Sequence, residues 1–388
     1  MTKKRYSAII CEYNPFHHGH LYQIEALKKE YDGIICIMSG NLVQRGEVAV
    51  AEKYLRAKAA VMCGANLVVE LPFPFCMLSA RDFASAGVYI AAMLGADSLA
   101  FGCEDDFSLL SSIAEKTGSG VFEKSVVELI KSNKNLSYPK AKKAAVEQIF
   151  GEKAAVIKKP NNILALEYLS AIKNGGYEIK PHPIKRNQSF LSSSAIRKSV
   201  DLDEFLSFLP ERSAAVYGAV GEGELPRLTE KMSQYIIATL RMFKVKSSGS
   251  DMDIYGTPPD LFNSIMSTSL SVSSFSELVQ KCQNNIYTEA RVRRSVLSAV
   301  FGVTASDALC KPNYALLLTA DSTGCDFLRN RKDKIALPVI TKPSHINRQP
   351  AAVARAFMRE CCIDNVISLF TPGERADKPF CKTPFILQ

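Results

Sequence analysis

Three of the chain's five histidines fall in the stretch Pro15-Phe16-His17-His18-Gly19-His20. Imidazoles can point N–H donors at an anion, and a glycine between them leaves room for a phosphate to approach the backbone. A second stretch, Leu191-Ser192-Ser193-Ser194-Ala195-Ile196-Arg197, follows Lys185-Arg186. It combines hydroxyls and amides at a helix start with a guanidinium one turn later, a second cradle for anions. Taken alone, a histidine cluster can be a chance feature of a solvated helix start, and a serine run is commonly just an N-cap. The two in one chain point to phosphate handling. His17, His20 and Arg197 are the candidate catalytic groups, with Ser192, Ser193, Ser194, Lys185 and Arg186 as candidate phosphate ligands.

These side chains need elements to hold them. Tyr6 to Cys11, Gly33 to Met38, Leu67 to Leu71 and Ser98 to Phe101 read as buried parallel strands separated by helix-length segments. A further strand is expected near Tyr177 to His182, after a helix over Ile163 to Lys173. Repeated βα units predict an α/β fold, a doubly wound Rossmann-like parallel sheet with ligands at the carboxyl ends of its strands. With Leu21 to Tyr31 as a helix, His17 to His20 falls where strand gives way to helix, the place where amides and the helix dipole gather phosphates. Beyond about residue 205 strand signals fade. Helical patterns take over at Met232 to Phe243 and Thr288 to Phe301, and Ser274 to Glu277 has capping-box spacing. The expected division is therefore a phosphate-handling α/β domain, 1–205, followed by a mainly helical, net-basic domain, 206–388.

A chain of 388 residues, 47% hydrophobic and 22% charged, is ordinary globular protein with length for two cores. It shows neither a signal peptide nor an apolar run long enough to span a bilayer, so a cytoplasmic protein without membrane attachment is expected. The eleven cysteines form no CxxC pair and read as free thiols, and no clustered ligands mark a zinc site. Residues 241–388 carry 19 Lys and Arg against 13 Asp and Glu, so +6 of the chain's +9 lies there. That asymmetry permits a polyanionic partner. Arg291-Val292-Arg293-Arg294 on a helix, and the run Arg329 to Lys334 with Arg331 and Lys332, are the basic clusters that could bind a polyanion through its phosphates, or could be solvated faces. Arg45, in Gln44-Arg45-Gly46, could bind substrate or the polyanion, or be a solvated loop arginine.

Pro15 to His20 with Leu191 to Arg197 resembles the two signatures, HxGH and ISSTxxR, of the HxGH nucleotidyltransferase superfamily. Glu12 to His20, Ser39 to Glu47, Val69-Glu70-Leu71-Pro72 and Pro160-Asn161-Asn162-Ile163-Leu164 more closely resemble the bacterial tRNA(Met) cytidine acetate ligase family. The resemblance implies an ATP-dependent ligase. Acetate would be activated as acetyl-adenylate, and the acetyl group passed to the exocyclic amine of the wobble cytidine in elongator tRNA(Met). It further implies that Ile10, Cys11, Glu12, Tyr13, Asn14, Pro15, Phe16, His17, Gly19, His20 and Gln23 wrap the ATP phosphates. Gly102, Asn161 and Asn162 would contact the nucleotide, and Lys185 and Arg186 would lie near the phosphates. Residues 1–205 would be the ATP-binding nucleotidyltransferase domain, and the polyanion met by Arg45, Arg291, Arg293, Arg294, Arg331 and Lys332 would be tRNA. Two departures are visible: Ser194 stands where threonine is commoner, and His18 fills the variable position. Neither removes a required group. Acetate is already an anionic nucleophile, so the chemistry asks for alignment and charge neutralisation, which histidine, arginine and helix amides supply. Magnesium is expected with ATP, with no protein-held metal site. Two other readings share the motifs: a small-molecule adenylyltransferase of cofactor biosynthesis, and a non-catalytic RNA-binding protein on a degenerate nucleotide fold. The length and basic balance of the second half weigh against the first, and the intact His17, His20 and Arg197 against the second. No protein partner is evident.

Overall fold

Alternate residues of the first strand, β1 (Tyr6–Cys11), enter two different cores. Tyr6, Ala8 and Ile10 pack into one, Ile9 and Cys11 into the other. A period of two with both faces apolar is what a strand covered on both sides requires. The computed structural model describes residues 4–117, 120–133, 136, 138–220, 230–246, 253–370, 376–377, 380 and 383–388. The remaining sheet strands are β2 (Gly33–Ser39), β5 (Leu67–Leu71), β6 (Ser98–Cys103), β7 (Lys180–Lys185), β8 (Ala315–Asp321), β9 (Val339–Ile340) and β10 (Phe385–Leu387); a small hairpin pairs β3 (Leu42–Val43) with β4 (Glu47–Val48). Sheet order is β10-β8-β5-β2-β1-β6-β7, with β9 on β8, and every pair is parallel except β5 with β8. The fold is the expected α/β Rossmann-like sheet. The chain runs from β1 to β2 and β5 on one side, then returns to β6 on the other, which opens a crevice at the carboxyl ends of β1 and β6.

Two expectations need refinement. The strand expected near Tyr177 starts at Lys180 and contains Pro181 and Pro183; it sits at the sheet edge, where a missing N–H is tolerated. The second half is mainly helical, as expected, but strands recur in it where the sequence showed no strand signal. Helices Glu230–Lys246, Pro259–Ser269, Phe275–Cys282 and Glu289–Phe301 follow the helical patterns, and Ser274 caps the third. Yet β8, β9 and β10 belong to the same sheet as β1. Ala-Leu-Leu-Leu in β8 carries no β-branched residue and suits a helix equally, so only pairing with β5 decides it. Among the described residues no helix is long and apolar enough to cross a membrane.

A buried ionic cluster ties the late chain to the early chain. On the helix Lys53–Met62, the Lys53 ammonium meets Glu70 of β5 at 2.7 Å. It also meets Glu360 at 3.3 Å and Asp364 at 2.6 Å, both on the helix Ala351–Ser368. All four side chains are at most 6% exposed. Burial opposes the lysine's charge, but Asp364, Glu70 and Glu360 together hold it well above its usual value. Burial raises Glu70 well above the carboxylate range and Asp364 to about 6, with Glu360 adding to both. Three carboxylates around one ammonium leave negative charge in excess. Asn41 closes it, donating to Asp364 at 2.8 Å while accepting the Lys53 N–H at 2.9 Å. Lys53→Met, which leaves the carboxylates buried without their cation, should lower unfolding stability by about 3–5 kcal/mol in chemical denaturation. A loss below about 1 kcal/mol would show that the cluster does not carry the join.

Candidate active site

The turn after β1 makes its own cap. His17 is the N-cap of the helix His18–Lys28, and its Nδ1 accepts the Gly19 N–H at 3.0 Å. The His17 N–H in turn donates to His20 Nδ1 at 3.3 Å. The two rings stack, centroids 3.8 Å apart. Because each Nδ1 accepts a hydrogen bond, the proton of each neutral ring sits on Nε2. Burial, with Arg186 and then His18 nearby, lowers His17 from the ordinary 6.5 to about 4. Burial and then His17 push His20 well below its usual value. Both are therefore neutral N–H donors at physiological pH. A Cβ on residue 19 would stand 2.9 Å from His17 Cε1, so the glycine keeps the cap closed as well as leaving room for a ligand.

The neighbours in this turn divide by burial. Ile10 packs in one core, and Cys11, Tyr13 and Phe16 pack in the other. They and Pro15 can meet a nucleotide only through their backbone. Tyr13 takes φ of 44°, a left-handed conformation costly for a bulky side chain, and its ring lies 4.8 Å from that of His20. It supports the histidine from behind. Asn14 is buried, its Oδ1 accepting the Val50 N–H at 2.6 Å and its Nδ2 left without an acceptor among the described residues. Glu12 is raised by burial and accepts the Gln44 N–H at 3.0 Å. Gln23, half-buried, lies one turn along the helix.

Arg197 reaches this turn from the other motif. Its Nη1 donates to the Asn14 carbonyl at 2.8 Å and its Nη2 to Glu47 Oε2 at 2.9 Å. The two motifs, far apart in sequence, thus form one site. Ser192 caps the short helix Ser193–Ile196, its Oγ accepting the Ala195 N–H at 3.2 Å, with Ser193 and Ser194 half-buried beside it. On the β6 side, Asn161 donates to Glu104 at 2.8 Å and Gly102 lies against Asn161. Asn162 is fully buried and its amide is engaged: it donates to Asp105 at 2.6 Å and to the Val156 carbonyl at 3.0 Å, and accepts the Glu104 N–H at 2.9 Å. Its side chain shapes the 103–105 turn. Lys185 and Arg186 are exposed at the end of β7, Arg186 reaching Glu104 at 3.4 Å.

The basic residues read as tRNA contacts are placed differently. Arg331 is buried, donating to the Gly95 and Lys4 carbonyls at 2.6 Å each and to Asp97 at 2.9 Å, between the rings of Tyr6 and Phe327. It is a structural residue. Lys332 beside it is exposed. Arg291 donates to the Gly256 carbonyl at 3.3 Å and lies over Tyr287. Arg293 is bonded to Glu47 and Glu289, and Arg294 donates to the Gln44 carbonyl at 3.2 Å. These two brace the β3–β4 hairpin. Gly46, at φ 71°, is pressed so close that a Cβ would stand 2.8 Å from the Arg294 nitrogen. Arg45, at the hairpin tip, is exposed.

Two further residues matter here, and only the structure names their partners. Glu47 bridges Arg197 to Arg293, and nothing near it in sequence announces either partner. Arg56, fully buried, donates to the carbonyls of Ala51 at 2.8 Å, Ser39 at 3.1 Å, Glu12 and Gly40, joining the turns after β1 and β2.

Residues 5–379 match the family described as HIGH Nucleotidyl Transferase. A tRNA(Met) cytidine acetate ligase of Thermosipho africanus is 31% identical over 364 residues, covering 88% of this chain and 85% of the relative. One from a Thermoanaerobacter species is 32% identical over 360 residues, 87% and 88% of the two chains. The crystal structure of Thermotoga maritima TmcAL bound with alpha-thio ATP superposes with a TM-score of 0.89 at 27% identity over 99% of each chain.

Two outcomes follow from the geometry. Between about pH 4 and 6.5 the unfolded chain holds a proton on His17 that the folded chain does not, so acidification across that window destabilises the fold through this residue. Side-chain ¹⁵N NMR should show a neutral, Nε2-protonated His17 that titrates near 4; a midpoint near 6.5 would refute the assignment. For Glu47, a double-mutant cycle of Glu47→Gln with Arg293→Met should give a coupling of about 0.5–3 kcal/mol in unfolding. Simple additivity would mean that the ion pair is absent in solution.

Proposed function

The chain belongs to the HIGH nucleotidyl transferase family, among the tRNA(Met) cytidine acetate ligases, and on that footing we propose that it joins acetate to the wobble cytidine of elongator tRNA(Met) at the expense of ATP. The observation that carries this is the convergence of the His17 and His20 Nε2–H donors, the helix start and Arg197 at the carboxyl end of β1. In the first half-reaction an acetate oxygen bonds to the α-phosphorus of ATP and the bond to the β-phosphate oxygen breaks, releasing pyrophosphate. Charge grows on the α-phosphoryl oxygens and the leaving group. Neutral, preoriented imidazole donors stabilise it without reorganisation, and Arg197 balances the triphosphate. The Asn14 amide, buried without an acceptor among the described residues, is a further donor beside this position. In the second half-reaction the cytidine exocyclic nitrogen attacks the acetyl carbonyl, the acyl–oxygen bond breaks, AMP leaves, and the amine proton passes to solvent.

Gly102, with no side chain, and the neighbouring Asn161 form the floor for the nucleoside, and Lys185 and Arg186 line its rim. Magnesium travels with the triphosphate: Glu12, Glu47 and Glu104, carboxylates bonded into the site, already accept from Gln44, Arg197, Arg293, Asn161 and Arg186. The basic excess of the second half, the exposed Lys332 and the hairpin-tip Arg45 supply phosphate-backbone contacts to tRNA. An enzyme acting on tRNA works in the cytoplasm, where its substrate is.

Wild-type protein should catalyse acetate-dependent exchange of pyrophosphate into ATP and form N4-acetylcytidine in tRNA, read by mass spectrometry. His20→Ala should lower the exchange rate by about a hundredfold or more while the protein stays folded. Exchange that ignores acetate, or that survives this substitution, would overturn the reading.

A further inference from the structure

Glu47 puts a negative charge where the ligand is itself an anion. Its Oε2 accepts from Arg197 Nη2 at 2.9 Å, and its other oxygen accepts from Arg293 on the helix Glu289–Phe301. With both oxygens engaged from different sides, the carboxylate has little freedom to turn, and all three side chains are half-buried. The hairpin that carries it is held as well. The Gly46 N–H closes its turn on the Val43 carbonyl at 2.9 Å, and Val43 pairs with Glu47 across it. Toward the phosphate site, the Gln44 N–H donates to Glu12 at 3.0 Å, and the Val50 N–H, just past β4, donates to Asn14 at 2.6 Å. Toward the second half, Arg294 donates to the Gln44 carbonyl at 3.2 Å, Glu289 steadies Arg293 from the preceding helical turn, and a Cβ on Gly46 would stand 2.8 Å from that of Arg293. The hairpin is wedged between the helix and the turn after β1.

A carboxylate beside the arginine that takes up a triphosphate weakens the attraction between them, so its use lies in geometry. Arg197 has two holds: the Asn14 carbonyl on Nη1 and Glu47 on Nη2. A guanidinium bonded through one terminal nitrogen can still swing about that bond. Bonded through both, its plane is set, and it has further N–H groups to give to phosphate. Donors that are aimed before the reaction stabilise charge as it develops without reorganising. The two holds share an origin, because Asn14 is itself bonded to Val50, three residues beyond Glu47. Resting on the ligase reading above, with Arg197 as its phosphate ligand, we propose that Glu47 is a positioning residue for adenylation. It fixes the plane of Arg197 toward the charge that grows on the triphosphate, and Arg293 fixes Glu47 in turn. The second half of the chain thereby contributes to the half-reaction in which tRNA takes no part.

The test reads acetate-dependent pyrophosphate exchange without tRNA. Glu47→Gln keeps the length of the side chain and removes its charge. If the charge mattered only as a repulsion, the KM for ATP would fall and kcat would hold. Loss of orientation should instead lower kcat roughly ten- to hundredfold, with the KM for ATP unchanged or lower. Arg293→Met should lower kcat for exchange in the same direction by about three- to tenfold, whereas Arg293→Lys, which keeps a cation for Glu47, should stay within about twofold of wild type. Because Glu47 acts through Arg197, Glu47→Gln should add less than about twofold to the loss caused by Arg197→Ala. A fall in the folded fraction would multiply through that double variant instead, so multiplied losses would overturn the proposal. So would an unchanged kcat in Glu47→Gln, or a kcat restored by added magnesium, which would make Glu47 a metal ligand. An Arg293→Met protein that loses only tRNA acetylation would make Arg293 a contact to RNA and overturn it too. Wild-type protein without acetate-dependent exchange fails the ligase reading and this assignment with it; normal wild-type exchange with an indifferent Glu47→Gln fails the assignment alone.

Discussion

Two backbone amides determine what the site can do. The Gly19 N–H binds His17 Nδ1, and the His17 N–H binds His20 Nδ1. Helix starts leave several N–H groups unsatisfied, and here the imidazoles satisfy two of them. The consequence is chemical: with each Nδ1 occupied as an acceptor, each ring must present its proton from Nε2. Burial keeps both rings neutral, so they can stack at 3.8 Å without the repulsion that two imidazolium ions would suffer. A donor that needs neither protonation nor reorientation is the kind best suited to charge developing on phosphorus.

The rest of the structure serves to keep that turn where it is. Arg56 collects carbonyls from the ends of β1 and β2, Tyr13 accepts a strained φ to back His20, and Arg197 crosses from the second motif to the Asn14 carbonyl. A guanidinium is suited to this because its planar fork holds several acceptors at once and stays charged when buried. The same property makes arginine counts misleading as an index of nucleic-acid binding. Arg331 and Arg294 serve carbonyl oxygens of this chain, and Arg293 serves Glu47.

The late chain is therefore part of the site's support. β8 extends the sheet beside β5, Glu360 and Asp364 close the buried cluster on Lys53, and the helix Glu289–Phe301 bears on the hairpin that carries Glu47. Glu47 thereby joins Arg293 of the second half to Arg197 of the site. Buried ion pairs of this kind contribute little net attraction but punish the loss of either partner, which favours one arrangement of the two halves over others.

What the sequence determined by itself was local. The HxGH turn, the serine-capped second motif and the βα alternation depend on neighbours within a few residues: a strand's period of two, a cap, a glycine where close approach is needed. Residues 12–20 and 191–197 could be read for that reason, and the family resemblance rests on them. Tertiary structure alone decided the partners of charge and the fate of ambiguous runs. Ala315–Asp321 is a strand because β5 offers it an edge, not because Ala-Leu-Leu-Leu prefers one. Arg331 is structural because Asp97 and two carbonyls converge on it, and Glu70 lies inside an ion cluster because Lys53 and a helix nearly three hundred residues later close over it. Electrostatic and hydrogen-bonding partners are chosen by proximity in space, which leaves no period or spacing in the chain to read, whereas caps and strands are chosen by proximity along it.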